Sequence, residues 1–398
     1  MFRKKEYAIA AIVLALLGIS IAFLLLHRNN TVTAEKADDA DKISESPDAT
    51  ESHDANESSE EYATYTDPFA SLFPETAQYE GVSSDVVCDY VPPSEYDLHI
   101  PEELKGFCGL KEIRDTVKTV ADDEVDLFEK ELPAGASGEG LNFDPLFYPY
   151  YAMLDDDSRQ LYRQIYANAC ELTRSFTAVN KDVSEGKLYN IFTAVLYDHP
   201  ELFWMKAEYS ATFGESGGLL EIDLSFNETA DDMENSRARF DEAAERIASG
   251  AYGTDHEKER YVHDALAEYI KYQDNPLDQS AYSGLVTGET VCAGYAGAFS
   301  CIMTKLGIPC YVCGGYGGEA HEWNIVCLDG EYYNVDLTWD DAGSDEILYN
   351  YFNKTDADYG FTHIRRNLSV YLPACTGETY RDHDPDEFTD YVMTQETE

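Results

Sequence analysis

Basic residues are scarce in this sequence. The 398-residue chain contains 28 lysines and arginines against 77 aspartates and glutamates, which gives a formal net charge of −49. A chain this acidic is repelled by phosphate backbones, so we expect no nucleic-acid partner. It is also repelled by anionic lipid headgroups, except at its basic N-terminus. The excess of acid indicates a solvated surface that keeps the protein soluble, rather than a specific role in calcium binding.

Long apolar runs are also lacking, with one exception at residues 7–26. Twenty helical residues cover about 30 Å, the hydrocarbon thickness of a bilayer. Three basic residues at positions 3–5 precede the run and favour a cytoplasmic N-terminus. The sequence therefore predicts a single-pass membrane anchor, with a cytoplasmic stub at 1–6 and an extracellular body. The alternative is a secreted protein, because Val32-Thr33-Ala34 loosely resembles a signal-peptide cleavage site.

Large apolar residues are nearly absent from the stretch that follows. Residues 27–75 are acidic and rich in serine, so they cannot bury enough surface to offset the entropy of ordering, and we expect a disordered linker. Residues 76–142 show no clear pattern and form a poorly defined N-terminal segment, in which Cys88 and Cys108 could close a small loop. The nine cysteines leave at least one unpaired unless an intermolecular bond forms.

Regular patterns begin near residue 143 and predict a mainly helical region, 143–253, with one β-hairpin. The hairpin joins 207–213 to LLEIDLSF, in which apolar and polar residues alternate. The predicted helices of this region open at Asp155 and span about 183–196 and 230–249.

A second predicted domain covers 254–365, followed by a C-terminal extension at 366–398. Its first helix, at 254–272, opens with Thr254 and Glu257 in the positions of a capping box, in which each side chain satisfies a backbone donor at the helix start.

A lone cysteine opens the next predicted helix. Residues 284–299 read GLVTGETVCAGYAGAF, and Gly307-Ile308-Pro309 ends the helix. Unpaired amides and the helix dipole at a helix N-terminus favour a thiolate, so we expect a lowered pKa for Cys292. The same amides could form an oxyanion hole. The alternative is that Cys292 is a small apolar core residue.

A candidate base and its partner lie in the stretch HEWNIVCLDGEYYNVDLT, residues 321–338. Asp329-Gly330 is a strong signal for a two-residue hairpin turn. In that register Trp323 faces Asp336 and His321 faces Thr338, so His321 and Asp336 share one face of the sheet. Diagonal neighbours lie about 7–8 Å apart at the backbone, within reach of an imidazole–carboxylate hydrogen bond.

These positions supply the parts of a catalytic triad. Asp336 would orient His321, and His321 would take the proton from Cys292. Taken singly, His321 could instead be a structural strand residue and Asp336 a turn former.

Residues 282–341 resemble the transglutaminase-like domain of bacterial exported proteins, within the broader papain-like group. The similarity rests on YSGLVTGETVCAGYAGAF, GIPCYV, HEWNIV and YYNVDLTWDD, in the order cysteine, histidine, aspartate. The resemblance assigns the nucleophile to Cys292, the base to His321 and the orienting acid to Asp336. It implies an α+β fold in which the nucleophile helix packs on an antiparallel β-sheet. Animal transglutaminases use additional domains and calcium sites, neither of which can be located in this sequence, so we expect no cofactor or metal. YFNKTDADYGFTHI also resembles a segment of related exported proteins, less specifically.

Three aromatic residues are secondary candidates for substrate binding. Trp323 would wall the cleft or belong to the core, Tyr295 would border the site or pack in the core, and Tyr282 would lie in an outer layer. The acidic residues at 340–341 and 345–346 could bind a cation, but an acidic loop is the simpler interpretation.

A Cys-x-x-Cys pair at 310–313 raises the question of redox or zinc chemistry. A redox motif opens a helix after a strand, whereas this pair follows Pro309 in a β-rich run, so core packing is the simpler interpretation. Zinc requires a second pair at short spacing, which the sequence does not offer.

Two functional classes remain. The first is a cell-surface cysteine enzyme that acts on peptide or side-chain amides through a thioester, which water resolves in a protease or deamidase and an amine in a transglutaminase. Its partner would be a protein or peptide, such as a cell-wall or surface protein. The second class is a catalytically inactive binding or scaffolding module at the cell surface.

Overall fold

The computed structural model describes residues 89–94, 98–341 and 347–381. The predicted stub, anchor and acidic linker lie outside these residues, as do Cys88 and most of the C-terminal extension. Helices and antiparallel strands both build the described part, so the predicted α+β class is confirmed. Within it, no helix has the length and apolar character needed to cross a bilayer.

The α-helices are distributed over the described residues. They are α1 (Val125–Glu131), α2 (Pro149–Met153), α3 (Asp156–Cys170), α4 (Glu185–Asp198), α5 (Met233–Ala248), α6 (Asp255–Tyr269), α7 (Cys292–Lys305), α8 (Leu337–Asp341) and α9 (Asp356–Tyr359).

The strands are distributed over the same residues. They are β1 (Arg114–Val120), β2 (Ser175–Thr177), β3 (Met205–Gly214), β4 (Leu219–Phe226), β5 (Lys271–Tyr272), β6 (Glu289–Thr290), β7 (Cys310–Tyr316), β8 (Ala320–Leu328), β9 (Glu331–Val335) and β10 (Ile364–Arg365).

Side-chain caps fix the starts of the predicted helices. The Asp155 carboxylate accepts from the amide of Ser158 at the start of α3. Thr254 and Glu257 form both bonds of the predicted capping box at the start of α6, so this prediction is confirmed. The predicted end of α6 is too late, because Ile270 is extended and the following residues form β5.

A mixed sheet contains the predicted hairpin and extends beyond it. Its strand order is β1-β3-β4-β2, and β3 and β4 pair antiparallel as predicted. β1 comes from the segment without a clear pattern and pairs parallel with β3, from Arg114 opposite Glu208 to Val120 opposite Gly214. It is an exposed edge strand, so it lacks the alternation of apolar residues that would mark it in the sequence.

An antiparallel sheet with strand order β10-β7-β8-β9 carries the hairpin that positions the site. Leu328 pairs with Glu331, and both turn residues, Asp329 and Gly330, have positive φ, so the predicted two-residue turn is confirmed. The ladder stops at Asn324 opposite Val335.

Asp336 explains why the ladder stops. Its Oδ1 accepts from the amide of Trp339 over 3.2 Å and so caps α8, which begins one residue after Asp336. The predicted pairing of His321 with Thr338 is therefore wrong, because Thr338 lies in a helix.

A single cluster of buried side chains joins the mainly helical region to the residues that follow. Phe203 stacks on Phe240 with ring centroids 4.7 Å apart. Phe203 also packs on Tyr282, with ring centroids 5.0 Å apart. Helix α7 lies against β7 and β8, where Asn324 Nδ2 donates to the Ala296 carbonyl over 3.0 Å. The nucleophile helix thus packs on the antiparallel sheet, as predicted.

Candidate active site

Small residues allow the start of α7 to pack closely on its surroundings. Cys292 is the first residue of the helix, Val291 before it provides no side-chain cap, and the Cys292 amide donates to the Cys108 carbonyl over 3.3 Å. A Cβ on Gly294 would stand only 1.8 Å from Thr290 Oγ1, and one on Gly297 would stand 3.2 Å from the Ala281 Cβ. The small residues around Cys292 therefore serve the packing that fixes its position.

His321 lies on β8 within a group of aromatic rings. Its imidazole is nearly parallel to the ring of Trp339, with centroids 5.3 Å apart, and to the ring of Trp323 at 6.1 Å. His321 Nε2 is 2.7 Å from Asp336 Oδ2, while Nδ1 is buried and has no hydrogen-bond partner among the described residues. The hydrogen bond to Asp336 leaves Nδ1 as the nitrogen that can exchange a proton with a nearby group.

The carboxylate of Asp336 accepts three hydrogen bonds. Besides the helix cap on Oδ1, Oδ2 accepts from His321 and, over 3.0 Å, from Nε2 of His363. Burial opposes ionisation of this carboxyl, but the charge of His321 and the hydrogen bonds from the two histidines outweigh burial and hold the pKa of Asp336 well below its usual range. Asp336 is therefore an ionised, fully paired acceptor.

His363 is a member of the site that the sequence reasoning missed. It follows α9, and its Nδ1 contacts the Thr362 hydroxyl over 2.7 Å. Burial lowers the pKa of His363 to about 4, although Asp336 acts in the opposite direction. The residue lies in the segment YFNKTDADYGFTHI, but no spacing in that segment distinguishes a histidine that reaches Asp336.

Cys292 lies at the start of α7, and His321 lies on β8, the strand on which α7 packs. The backbone of Glu322, the residue after His321, lowers the pKa of the Cys292 thiol and so acts against burial. The structure thus pairs His321 directly with Asp336 and places Cys292 at the start of the helix that packs on the strand of His321. It does not give the lowered thiol pKa that the helix start predicts: burial, followed by the Glu322 carboxylate, raises the pKa of Cys292 well above its usual value.

The secondary aromatic candidates are all buried. Trp323 packs beside His321 and donates from Nε1 to Asn334 Oδ1 over 3.1 Å, so it supports the histidine from the core side of the sheet. The Tyr295 hydroxyl donates to Asp341. Tyr282 contacts Phe203, as described above, and lies under the guanidinium of Arg239.

The acidic pair at 340–341 is not an exposed loop, so the simpler interpretation is wrong at these two positions. Asp340 is fully buried in α8, with Oδ2 3.3 Å from His263 Nε2 and Oδ1 accepting from the Tyr351 amide over 2.9 Å. Asp341 accepts from Tyr295. The acidic residues at 345–346 lie outside the described residues. Cys310 and Cys313 are unpaired and buried in β7, which confirms that the Cys-x-x-Cys pair is core.

One group of side chains has the composition of a metal site. Ligand atoms of His321, Asp336 and His363 lie within 4.8 Å of one another. Both histidines direct Nε2 at the same carboxylate oxygen, so an ion bound there would replace both hydrogen bonds. These ligand atoms are therefore already engaged in hydrogen bonds with one another.

A cavity of about 410 Å³ lies beside the start of α7. Its lining includes Ala293 of α7, Glu322 of β8 and Lys111 from the N-terminal segment. Burial raises the pKa of Glu322 to about 7, and the hydroxyl of Tyr197 partly offsets this effect. The cavity gives the region around Cys292 room for a ligand side chain.

A cysteine at a helix start, with a histidine and an aspartate from one hairpin of an antiparallel sheet, defines the class of papain-like Cys-His-Asp proteins. Residues 241–337 match the family model of the transglutaminase-like superfamily, so this part of the chain is a transglutaminase-like domain.

A curated relative and two solved structures are similar to the chain. Human kyphoscoliosis peptidase is 26% identical over 157 residues, which are 35% of this chain and 24% of that protein. The chain thus spans about a quarter of the length of this relative. A transglutaminase crystal structure matches with 13% identity, 56% of this chain, 59% of that chain and a TM-score of 0.23. The periplasmic domain of TgpA from Pseudomonas aeruginosa matches with 20% identity, 31% of this chain, 54% of that chain and a TM-score of 0.20.

Proposed function

We propose that the transglutaminase-like domain is a cysteine enzyme that acts on peptide or side-chain amides through a thioester. The observation that carries the proposal is the 2.7 Å contact between His321 and Asp336, with Nδ1 of His321 unpartnered beside the start of the Cys292 helix. A base held by a buried carboxylate, next to a cysteine at a helix start, is the arrangement that nucleophilic catalysis requires.

The first half of the reaction forms the thioester. His321 accepts the thiol proton at Nδ1, and the sulfur of Cys292 attacks the amide carbonyl carbon, so that an S–C bond forms. The C–N bond then breaks, and the leaving amine takes the proton from the imidazolium. Asp336 remains ionised throughout and stabilises the imidazolium, because its pKa lies far below neutral pH.

The second half of the reaction releases the acyl group. Water attacks the thioester after it gives a proton to His321, the C–S bond breaks, and the thiolate recovers the proton. The product is a carboxylic acid, as in proteolysis or deamidation. If an amine attacks instead, a new amide forms, as in transglutamination.

The predicted N-terminal anchor supports a setting outside the cell. We propose that the domain acts at the cell surface on a neighbouring protein or on a cell-wall peptide, and that the chain is held to the membrane by residues 7–26. A secreted form after signal cleavage is the alternative, and fractionation of the cells that make the chain distinguishes the two.

An inactive binding module is the second candidate, and one observation favours it. Cys292 is completely buried, and burial holds its thiol in the neutral form. In an inactive module the thiol stays buried, whereas in an enzyme a conformational change has to expose it to the substrate.

Mass spectrometry of peptides incubated with the chain tests the proposal. Each reaction is run with and without a primary amine, and with a chelator to show whether a metal is needed. We expect mass changes that correspond to hydrolysis, deamidation or amine incorporation, and their loss in Cys292→Ala. Peptides that stay unchanged in every condition, with a chain whose Cys292 is accessible to iodoacetamide, support the inactive module.

A further inference from the structure

The candidate catalytic residues are covered by a segment of the same chain. Residues 106–111, named the strap here, run across the start of α7. Phe107 in the strap packs on Tyr272 with ring centroids 4.8 Å apart. Cys292 and His321 are both 0% exposed, so no substrate reaches them in this conformation.

Side-chain and backbone donors of the domain bind four consecutive carbonyl groups of this segment. The contacts run from Tyr272 Oη to the Gly106 oxygen at 3.2 Å, from Trp339 Nε1 to the Phe107 oxygen at 3.2 Å, from the Cys292 amide to the Cys108 oxygen at 3.3 Å and from Gln279 Nε2 to the Gly109 oxygen at 3.1 Å. Gln279 also accepts from the Lys111 amide over 2.9 Å. The domain therefore binds the main chain of the strap, and two strap side chains add contacts, from Cys108 Sγ to Glu319 at 3.0 Å and from Lys111 Nζ to Asp278 at 2.5 Å.

The carbonyl of Cys108 lies at the position expected for the reacting carbonyl of a substrate. The amide that binds it belongs to Cys292, at the N-terminus of α7, where an oxyanion would be stabilised. Contacts to Gly106 and Phe107 precede this carbonyl, and contacts to Gly109 and Lys111 follow it. The carbonyl of a peptide bond has main chain on both sides, which can make these contacts. The carbonyl of a side-chain amide has no main chain on either side.

We propose that the groove at Cys292 is a binding site for an extended peptide main chain, and that the strap occupies it as an intramolecular substrate mimic. This inference rests on the proposed function and narrows it: the acyl group is a main-chain carbonyl, and the bond that breaks is a peptide bond. Displacement of the strap opens the groove.

The residue after the reacting carbonyl is also specified. Gly109 has φ +61°, and a Cβ there would lie 2.8 Å from the Cβ of Val291. An L-residue at this position has to adopt the left-handed region and to push Val291 aside. The groove therefore selects peptides with glycine immediately after the reacting carbonyl.

A strap variant separates the groove from its occupant. Gly109→Ala weakens the strap and leaves every groove residue intact. Cys292 in the full chain is labelled with iodoacetamide and quantified by peptide mapping, since the other cysteines also react. The probes are acetyl-Leu-Lys-Gly-Phe-Ser-Gly-Leu-Lys-Glu-amide, which follows residues 104–112 with serine for Cys108, and the same peptide with alanine in place of its second glycine. Phe107→Ala is a second strap variant, for use if Gly109→Ala does not fold.

We expect Gly109→Ala to be labelled at Cys292 at least about tenfold faster than the wild type. The glycine peptide slows the labelling and is cut between its serine and glycine, and the alanine peptide does neither. Tyr272→Phe, added to the strap variant, weakens protection by the glycine peptide. Tyr269→Phe is the matched control, because it removes a hydroxyl-to-carbonyl bond of the same 3.2 Å length outside the groove.

Two failures have different meanings. Fast labelling with equal protection by both peptides, or with none, overturns the main-chain groove and leaves the proposed cysteine chemistry standing. Cutting of the strap by trypsin shows that the strap is displaced in a folded variant. If Cys292 is still not labelled in that variant, the cysteine chemistry and the groove are overturned together.

Discussion

His363 Nε2 lies 3.0 Å from Asp336 Oδ2, the oxygen that also accepts from His321. Because His363 is buried and touches the carboxylate that orients His321, we interpret it as a positioning residue. Its low pKa keeps it neutral near pH 7, so it acts as a hydrogen-bond donor without adding a positive charge.

Replacement of His363 tests this role through the geometry of Asp336. In the Gly109→Ala background, His363→Met removes the donor at similar size, and we expect alkylation of Cys292 to slow by about tenfold or more, as for a hydrogen bond to a charged group. His363→Gln places an amide donor near the position of Nε2 and should restore most of the rate. The measurement is the alkylation rate of Cys292 from pH 5 to 9; equal rates and pH profiles for both variants show a merely structural role.

Asp336→Asn keeps the shape of the side chain and changes the proton pattern. If the amide oxygen keeps the cap on α8, its NH₂ group faces Nε2 of His321, which then has to be unprotonated, and the proton moves to Nδ1. His321 can no longer accept the thiol proton at Nδ1, so we expect at least about a 100-fold loss in the alkylation rate of Cys292.

Asp340→Asn is the matched control for this change. Asp340 is equally buried, also contacts a histidine Nε2, and accepts a backbone amide, but its histidine is His263. Its replacement should leave the alkylation rate within a few-fold of the unsubstituted background. Similar losses in both aspartate variants would mean that the effect reports on folding and not on His321.

The hairpin that carries His321 and ends just before Asp336 follows from local rules, and the sequence was sufficient to predict it. A two-residue turn of this type requires two positive φ angles, which Asp329 and Gly330 adopt. The turn fixes the register and hence which residues share a face of the sheet. The Thr254–Glu257 capping box is equally local. Such features need only neighbouring residues, so periodicity and turn chemistry reveal them.

Contacts between distant parts of the chain were not predictable in this way. The strap has no periodic pattern, and its place over Cys292 depends on single hydrogen bonds to residues far along the chain. The raised thiol pKa has the same origin, because the helix start favours a thiolate while the burial that outweighs it comes from tertiary structure. Strand β9 ends before Asp336 because Asp336 caps α8. A prediction from strand pairing alone does not take helix capping into account.

Glu259 should make the stability of the fold depend on pH. It is fully buried on α6, Oε2 accepts from Asn353 over 2.9 Å, and burial raises its pKa to about 8. Between the unfolded pKa, about 4.5, and pH 8 the folded state holds one more proton than the unfolded state, so the free energy of unfolding falls as pH rises.

Glu259→Gln removes this titration and keeps the shape. Relative to the wild type, the variant should gain on the order of 4 kcal/mol in free energy of unfolding between pH 4.5 and 8, at about 1.4 kcal/mol per pH unit. Urea unfolding of both proteins across this range measures the difference. Parallel curves would contradict the assignment of a protonated carboxyl to the folded state.

The most direct test of the account is the alkylation rate of Cys292 with and without His321. In the Gly109→Ala background at pH 7, where the groove is open, the account predicts that His321→Ala slows iodoacetamide labelling at Cys292 by at least about 100-fold while the fold is retained. Equal rates with alanine and with histidine at position 321, in folded proteins with an accessible Cys292, would contradict the claim that His321 activates this thiol.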